Sequence, residues 1–171
     1  MIRSKTDTVL KEIKIRRSPV SFSNELIPEA DMNLLFEAAR WAPSSYNQQP
    51  WRFIFATRED NDAYQRLFEL LVPANQEWAV SAPVLMLSVA EIIPENRSKE
   101  NRFAFHDLGM AVGNLLIQAT SMGIYVHQMG GYDVEKARKD MLIPDRYEPA
   151  AMFALGYPGE VDSLPMELKR R

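Results

Sequence analysis

The chain has 171 residues, 46% hydrophobic and 25% charged, which is ordinary for one globular domain spanning 1–171. Lysine and arginine number 20 against 23 aspartates and glutamates, and a net charge of −3 argues against a general nucleic-acid-binding protein. The sequence has no cysteine, which excludes disulfides and thiolate chemistry, and its two histidines argue against a multi-histidine metal site. Without a membrane-spanning run or a secretory signal, we expect a cytoplasmic protein with no membrane partner.

The first half of the chain predicts three helices and two strands. Residues 6–17 have the apolar spacing of an amphipathic helix. A second helix is predicted to begin at Pro28, which suits a first helical position, and to end at Pro43. The remaining elements of this half are a strand at 51–57, a surface helix at 60–71 and, at 82–90, a strand covered on both faces.

The second half is dominated by a helix predicted at 105–122 that is apolar nearly all round. Such a helix is buried, either at the centre of the chain or at a subunit interface. The elements that follow are a strand at 123–129, a tight turn at Gly130 and Gly131, a helix at 133–142 capped by Asp133, and a strand at 149–157. The order of elements lacks a regular βαβ alternation, so we predict an α+β fold with a sheet covered by helices.

Three short segments are candidates for a binding site. The first is "RRSPVSF", 16–22, which is either the basic end of a helix stopped by Pro19 or a site for an anion. The second is "APSSYNQQPW", 42–51, which is either a connecting loop or a polar surface for the edge of a planar heterocycle. The third is "VHQMGG", 126–131, which is either a simple turn or a place where backbone N–H groups approach a ligand closely.

No side-chain machinery for hydrolysis or phosphoryl transfer is recognisable. Ser44 and Ser45 lack the context of a nucleophile elbow, and the chain has neither a Walker loop nor a dinucleotide-binding glycine motif. A lone histidine such as His127 more often has a structural or ligand-holding role than a catalytic one. If the protein is an enzyme, a cofactor therefore supplies its chemistry.

In this order the segments resemble the successive signatures of the nitroreductase-like flavoprotein family. The resemblance is carried by "RRSPVSF", "LLFEAARWAPSSYNQQPWRFIF", "DLGMAVGNLLIQATSMGIYVHQMGGYD" and "IPDRYEPAAMFALGYPG". It implies a central antiparallel sheet flanked by helices in an intertwined homodimer. The helix at 105–122 would pack across the two-fold axis, and two FMN molecules would bind at the interface, each between both chains.

The resemblance also implies the residues that bind FMN. Arg16 and Ser18 would reach the phosphate or ribityl side, and Arg17 would lie nearer the pyrimidine edge, where positive charge favours the anionic reduced flavin. The loop residues expected from the partner chain are Pro43, Ser44, Ser45 and Asn47, with Gln49 from either chain. The residues expected to cover the dimethylbenzene side and the N5 atom, where a glycine N–H would lie near N5, are His127, Gln128, Met129, Gly130 and Gly131.

Two features depart from the family pattern. Val20 stands where relatives often carry a lysine or arginine that tunes the flavin. Relatives also continue with a basic tail that wraps the partner, whereas here only Lys169, Arg170 and Arg171 end the chain. We therefore expect the tail to be short or missing and FMN to bind more weakly than in a relative with a full tail.

The function that the resemblance implies is an FMN-dependent oxidoreductase. It would take hydride from NADH or NADPH and pass electrons, in a ping-pong cycle, to a small-molecule acceptor such as a nitroaromatic or a quinone. No catalytic side chain is assigned, because the flavin N5 carries the hydride, and no metal is expected. The alternatives are a non-catalytic dimer that binds or stores FMN, and an enzyme of the same fold that dehalogenates its substrate or degrades flavin.

Overall fold

The structure is a computed structural model that describes residues 8–95 and 99–160. The helices are α1 Lys11–Ile15, α2 Glu29–Arg40, α3 Asn61–Phe68, α4 Pro73–Ala79, α5 Ala104–Ser121 and α6 Val134–Asp140. The strands are β1 Trp51–Thr57, β2 Val84–Glu91, β3 Tyr125–Met129 and β4 Tyr147–Gly156. A single 3₁₀ turn, Ser45–Asn47, lies between α2 and β1. Within these residues, no helix combines the length and the apolarity needed to cross a membrane.

The four strands form one antiparallel sheet in the order β1-β2-β4-β3. Every residue of β2 is buried, which confirms the prediction of a strand covered on both faces. Strand β4 begins at Tyr147, two residues before its predicted start at 149, and so includes Pro149. Proline is tolerated there because Pro149 lies next to the irregularity between Ser88 and Val89 and precedes the part of β4 that pairs with β3.

Helices cover both faces of the sheet, and successive residues of β2 alternate between the two cores. Leu85 and Leu87 pack with residues of α3, α4 and α6. Met86 and Ala90 pack with residues of α2 and α5. The described part of the chain is therefore a sheet between two helical layers, and the predicted α+β fold with a central antiparallel sheet is confirmed.

Helix α5 buries only one side within the chain. The fully buried positions along this side include Leu108, Ala111, Leu115 and Ala119. Met110, Leu116 and Ile117, on the rest of the circumference, are only partly buried, and Phe105 is 50% exposed. The near-continuous apolar circumference seen in the sequence is thus not fully covered by the residues that the structure describes.

Two helices differ from the prediction. Residues 6–17 were expected to be helical, but within the described residues the helix is only Lys11–Ile15, and none of these five is buried. It ends early because Arg16 turns to extended backbone, with ψ 131°, ahead of Pro19. Helix α4 was not predicted, although Pro73 at its first position is a start signal; with only seven residues it is too short to show a clear period.

Candidate functional site

The basic segment Arg16–Ser18 leaves α1 with its side chains near the surface. The Arg16 guanidinium donates to Ser18 Oγ at 3.2 Å. The Arg17 guanidinium donates to the carbonyl oxygen of Lys14 at 3.3 Å, in the last turn of α1. Arg17 therefore compensates the helix end, as the plainer interpretation of the sequence requires, but it is exposed and free to turn to a ligand.

His127 joins this basic segment to β3. Its Nδ1 atom lies 2.8 Å from the carbonyl oxygen of Pro19 and therefore carries the proton of this hydrogen bond. The imidazole ring also packs on Trp78 of α4, with the ring centroids 4.4 Å apart. Because Trp78 is fully buried, the histidine and the segment it holds are fixed against the core.

The residues after His127 differ in what they can offer a ligand. The Gln128 side chain is exposed, whereas the Met129 side chain is buried in the core, so only its backbone is available. Gly130 is exposed, and a Cβ there would meet nothing within 4 Å. At Gly131 a Cβ would come within 2.8 Å of Asn75 Nδ2 and 2.9 Å of Val72 Cγ2, so any other residue would force these side chains to shift.

The loop 43–49 has an unusual backbone. Three non-glycine residues have positive φ: Tyr46 at 54°, Asn47 at 55° and Gln49 at 48°. For tyrosine this conformation is a true outlier, and such outliers persist only where the surroundings impose them. Ser44 organises the loop, since its carbonyl accepts from the Asn47 N–H at 3.0 Å and its hydroxyl from the Gln49 N–H at 2.9 Å.

Two acidic residues that the sequence analysis did not single out hold this loop, Asp107 by direct contact and Glu91 through Arg52. Asp107, in the first turn of α5, accepts a hydrogen bond from the Ser45 N–H at 2.8 Å. Glu91, at the end of β2, forms ion pairs with Arg52 and Arg146, and its carboxylate raises the pKa of Arg146. Their sequence signal is weak, because each is separated by many residues from the group that it contacts.

The predicted site residues form two separate groups in the chain. Residues 16–18 and 127–131 lie together beside β3, joined by the His127 contact. The loop 43–49 leads directly into β1, at the other edge of the sheet. Since β2 and β4 lie between these edges, β1 and β3 are about 14 Å apart. The two groups therefore do not meet within one chain.

Of the two departures from the family pattern, one falls on described residues. Val20 is 6% exposed and packs in the core on the side of α3 and α4, where a lysine or arginine could not be accommodated without loss of packing. Lys169, Arg170 and Arg171 lie outside the described residues.

Comparison with known proteins agrees with this fold and with the order of the motifs. The sequence model of the nitroreductase family matches residues 13–157, and the chain belongs to that family, as the sequence resemblance predicted. A relative from Methanothermobacter thermautotrophicus, named "Putative NADH dehydrogenase/NAD(P)H nitroreductase", is 31% identical over 92% of this chain and 80% of its own length. A Bacillus subtilis protein named FMN reductase [NAD(P)H] is 31% identical over 68% of this chain and 45% of its own length.

A solved structure supports the same assignment. A crystal structure described as an oxidoreductase containing FMN has 32% sequence identity and a TM-score of 0.90. The match covers 95% of this chain and 83% of that one.

Proposed function

We propose that the protein is an FMN-dependent oxidoreductase that takes hydride from NADH or NADPH and passes electrons to a nitroaromatic, a quinone or a similar small acceptor. The observation that carries the proposal is the His127–Pro19 contact, which brings the basic segment 16–18 and the glycine turn 130–131 to one side of the sheet. The printed names of the similar proteins, which mention FMN and NAD(P)H, support the same chemistry.

The donor set beside β3 suits FMN. A dianionic phosphate favours guanidinium and hydroxyl donors, and Arg16 and Ser18 supply both. Gly130 presents exposed backbone with open space where a side chain would otherwise stand, so a flat ring can approach its N–H closely. We infer that Arg16 and Ser18 hold the phosphate or ribityl side and that Arg17 lies near the pyrimidine edge.

The loop 43–49 completes the site from a second copy of the chain in this proposal. It lies at the sheet edge opposite to residues 16–18 and 127–131, so in this proposal the loop that meets them at the cofactor belongs to the partner. The helical layer that contains α5 leaves several apolar side chains about half exposed: Ile13, Leu34 and Phe105. A homodimer that covers them would bring the partner's loop to each cofactor.

When bound, FMN would supply the hydride and electron transfer between the nicotinamide and the acceptor, and a shared site implies that donor and acceptor would bind in turn. The protein's own residues bind and orient the flavin and the two substrates. We assign no catalytic side chain, because His127 is held by Pro19 and Trp78 and His106 lies beside Asp107.

The test is reconstitution of the apoprotein with FMN, followed by anaerobic titration with NADH and with NADPH. We expect a yellow protein whose visible absorption is bleached by at least one nicotinamide and restored by a quinone or nitroaromatic. A yellow protein that neither nicotinamide bleaches would instead be an FMN-storing dimer. Loss of the flavin itself, or release of halide from a halogenated substrate, would indicate the degrading or dehalogenating alternatives.

A further inference from the structure

Residues outside the loop 43–49 contact its strained backbone in addition to the bonds that Ser44 makes within it. Within the loop, the bond from the Gln49 N–H to Ser44 Oγ is partly buried, whereas the bond from the Gln49 side chain to Asn47 Oδ1 at 3.0 Å is exposed and competes with water. Positive φ at Tyr46, Asn47 and Gln49 is unfavourable, so further contacts are needed to hold this backbone. The structure has such a contact at each end of the strained segment.

The first contact is Asp107, whose side chain is almost completely buried. One carboxylate oxygen accepts from the Ser45 N–H at 2.8 Å, and the other lies 3.1 Å from Nδ1 of His106. A buried carboxylate is costly unless both oxygens have donors, so its place here is explained by these partners. Asp107 thus fixes the start of the strained segment to the first turn of α5.

The second contact is the ion pair of Arg52 with Glu91. One Arg52 nitrogen donates to the carbonyl oxygens of Gln49 and Trp51, at 2.9 and 2.7 Å. The other donates to Glu91 Oε2 at 3.2 Å, and the opposite oxygen of that carboxylate is held by Arg146. The Glu91 carboxylate is buried, so it keeps the half-exposed Arg52 guanidinium in place over the end of the strained segment.

We propose that Asp107 and the Arg52–Glu91 pair are positioning residues that hold the loop 43–49 in the shape in which it binds the cofactor. Neither needs to touch the cofactor, because Asp107 acts through the Ser45 amide and Arg52 through the Gln49 carbonyl. The inference rests on the proposed function for its effect on FMN, but the effect on the loop backbone is independent of any cofactor.

The first experiment is hydrogen exchange of the Ser45 and Gln49 amides in the cofactor-free protein. In Asp107→Ala the Ser45 amide loses its acceptor, and we expect its exchange to be at least tenfold faster than in the wild type. Asp107→Asn keeps an acceptor oxygen and should stay within about twofold to threefold. Asp60→Ala is the matched control, since Asp60 accepts the Ala63 N–H at the start of α3, away from the loop. It should leave Ser45 and Gln49 unchanged.

The second experiment replaces Arg52. Its side chain is half exposed, so the substitution does not disturb the packing of the core. In Arg52→Gln the Gln49 amide, which donates to Ser44 Oγ only while the loop keeps its shape, should exchange at least tenfold faster. Arg138→Gln, which breaks the ion pair with Glu148 elsewhere on the sheet, is the control. If Asp107→Ala does not fold, this arm alone decides the proposal.

The cofactor arm measures FMN dissociation constants by quenching of flavin fluorescence in the same variants. We expect Arg52→Gln and Asp107→Ala to bind FMN at least tenfold more weakly, with Asp107→Asn and Arg138→Gln close to the wild type. The proposal is overturned if the folded Arg52→Gln variant keeps the wild-type exchange rate at the Gln49 amide. It is also overturned if the wild type binds FMN and the dissociation constant of Arg52→Gln lies within twofold of the wild-type value. A wild type that binds no FMN refutes the proposed function, whereas the exchange arm still decides whether these residues hold the loop.

Discussion

The imidazole of His127 holds the carbonyl of Pro19 through a hydrogen bond of 2.8 Å between residues 108 positions apart in the chain. This contact makes His127, which the sequence resemblance lists among the residues that cover the flavin, the link between β3 and the basic segment 16–18. It also limits what else the ring can do, since one nitrogen is engaged and one face packs on Trp78. The hydrogen bond therefore holds the segment 16–18 in position in the absence of a ligand.

Replacing His127 with phenylalanine tests this link. The ring can still pack on Trp78, but the hydrogen bond to Pro19 is lost, which removes about 0.5–1.5 kcal/mol from the free energy of unfolding. We expect FMN to bind up to about tenfold more weakly because the basic segment is less well placed. The measurements are chemical unfolding and FMN titration. In His127→Asn the side-chain amide can donate to the same carbonyl, so this variant should recover part of the lost FMN affinity. Equal FMN affinity in His127→Phe and the wild type would contradict the assigned role.

Arg17→Ala tests the placement of positive charge beside the flavin. Loss of a charge-assisted hydrogen bond costs about 1.5–3 kcal/mol, so we expect FMN to bind about 10- to 100-fold more weakly. The midpoint potential should become more negative, because the anionic reduced flavin loses a stabilising charge. Lys14→Ala, which removes one positive charge from the exposed side of α1, is the matched control. Unchanged FMN retention and potential in Arg17→Ala would remove Arg17 from the site.

Elements with a strong local signal were predictable from the sequence. Strand β1 has the predicted bounds because its aromatic residues alternate, and Asp133 caps α6 by accepting the Lys136 N–H, as its residue type suggested. The continuous apolar run of β2 likewise predicted burial on both faces. Each of these features depends on neighbours only a few residues away.

The backbone of the loop 43–49 could not be predicted in this way. Nothing in the local sequence favours positive φ at Tyr46, because tyrosine has no preference for that conformation. The contact that holds Ser45 comes from Asp107, 62 residues later. Such features depend on tertiary contacts for which a single sequence carries no periodic signal.

Alkaline pH should destabilise the protein through Tyr64. Burial raises the pKa of this phenol, whose hydroxyl donates to the Ala82 carbonyl at 2.7 Å. Its contribution is fully present below the unfolded-state pKa of about 10 and is lost as pH rises toward the higher pKa of the folded state. We expect Tyr64→Phe to cost about 1 kcal/mol at pH 8 and to reduce the decline in stability above about pH 10. Urea unfolding from about pH 8 to above about pH 10 measures the free energy of unfolding and its decline with pH. The control is Gln65→Ala, on the exposed side of α3, which should show the same decline in stability as the wild type.

Assembly is tested best at Phe105, an apolar side chain that the chain itself leaves half exposed on α5. Val112 is less suitable, because it is buried within the chain and its replacement by aspartate would disrupt the core whatever the oligomeric state. If α5 packs against a partner across an interface of more than about 2,000 Å², Phe105→Asp places a charge in it and should raise the dimer dissociation constant at least about 100-fold. Light scattering and sedimentation over a range of concentrations measure this, with Val80→Asp, an exposed apolar residue after α4, as the control. We expect the Phe105→Asp monomer to lose FMN together with the partner's loop; a wild type that is monomeric and binds FMN stoichiometrically would refute the shared site.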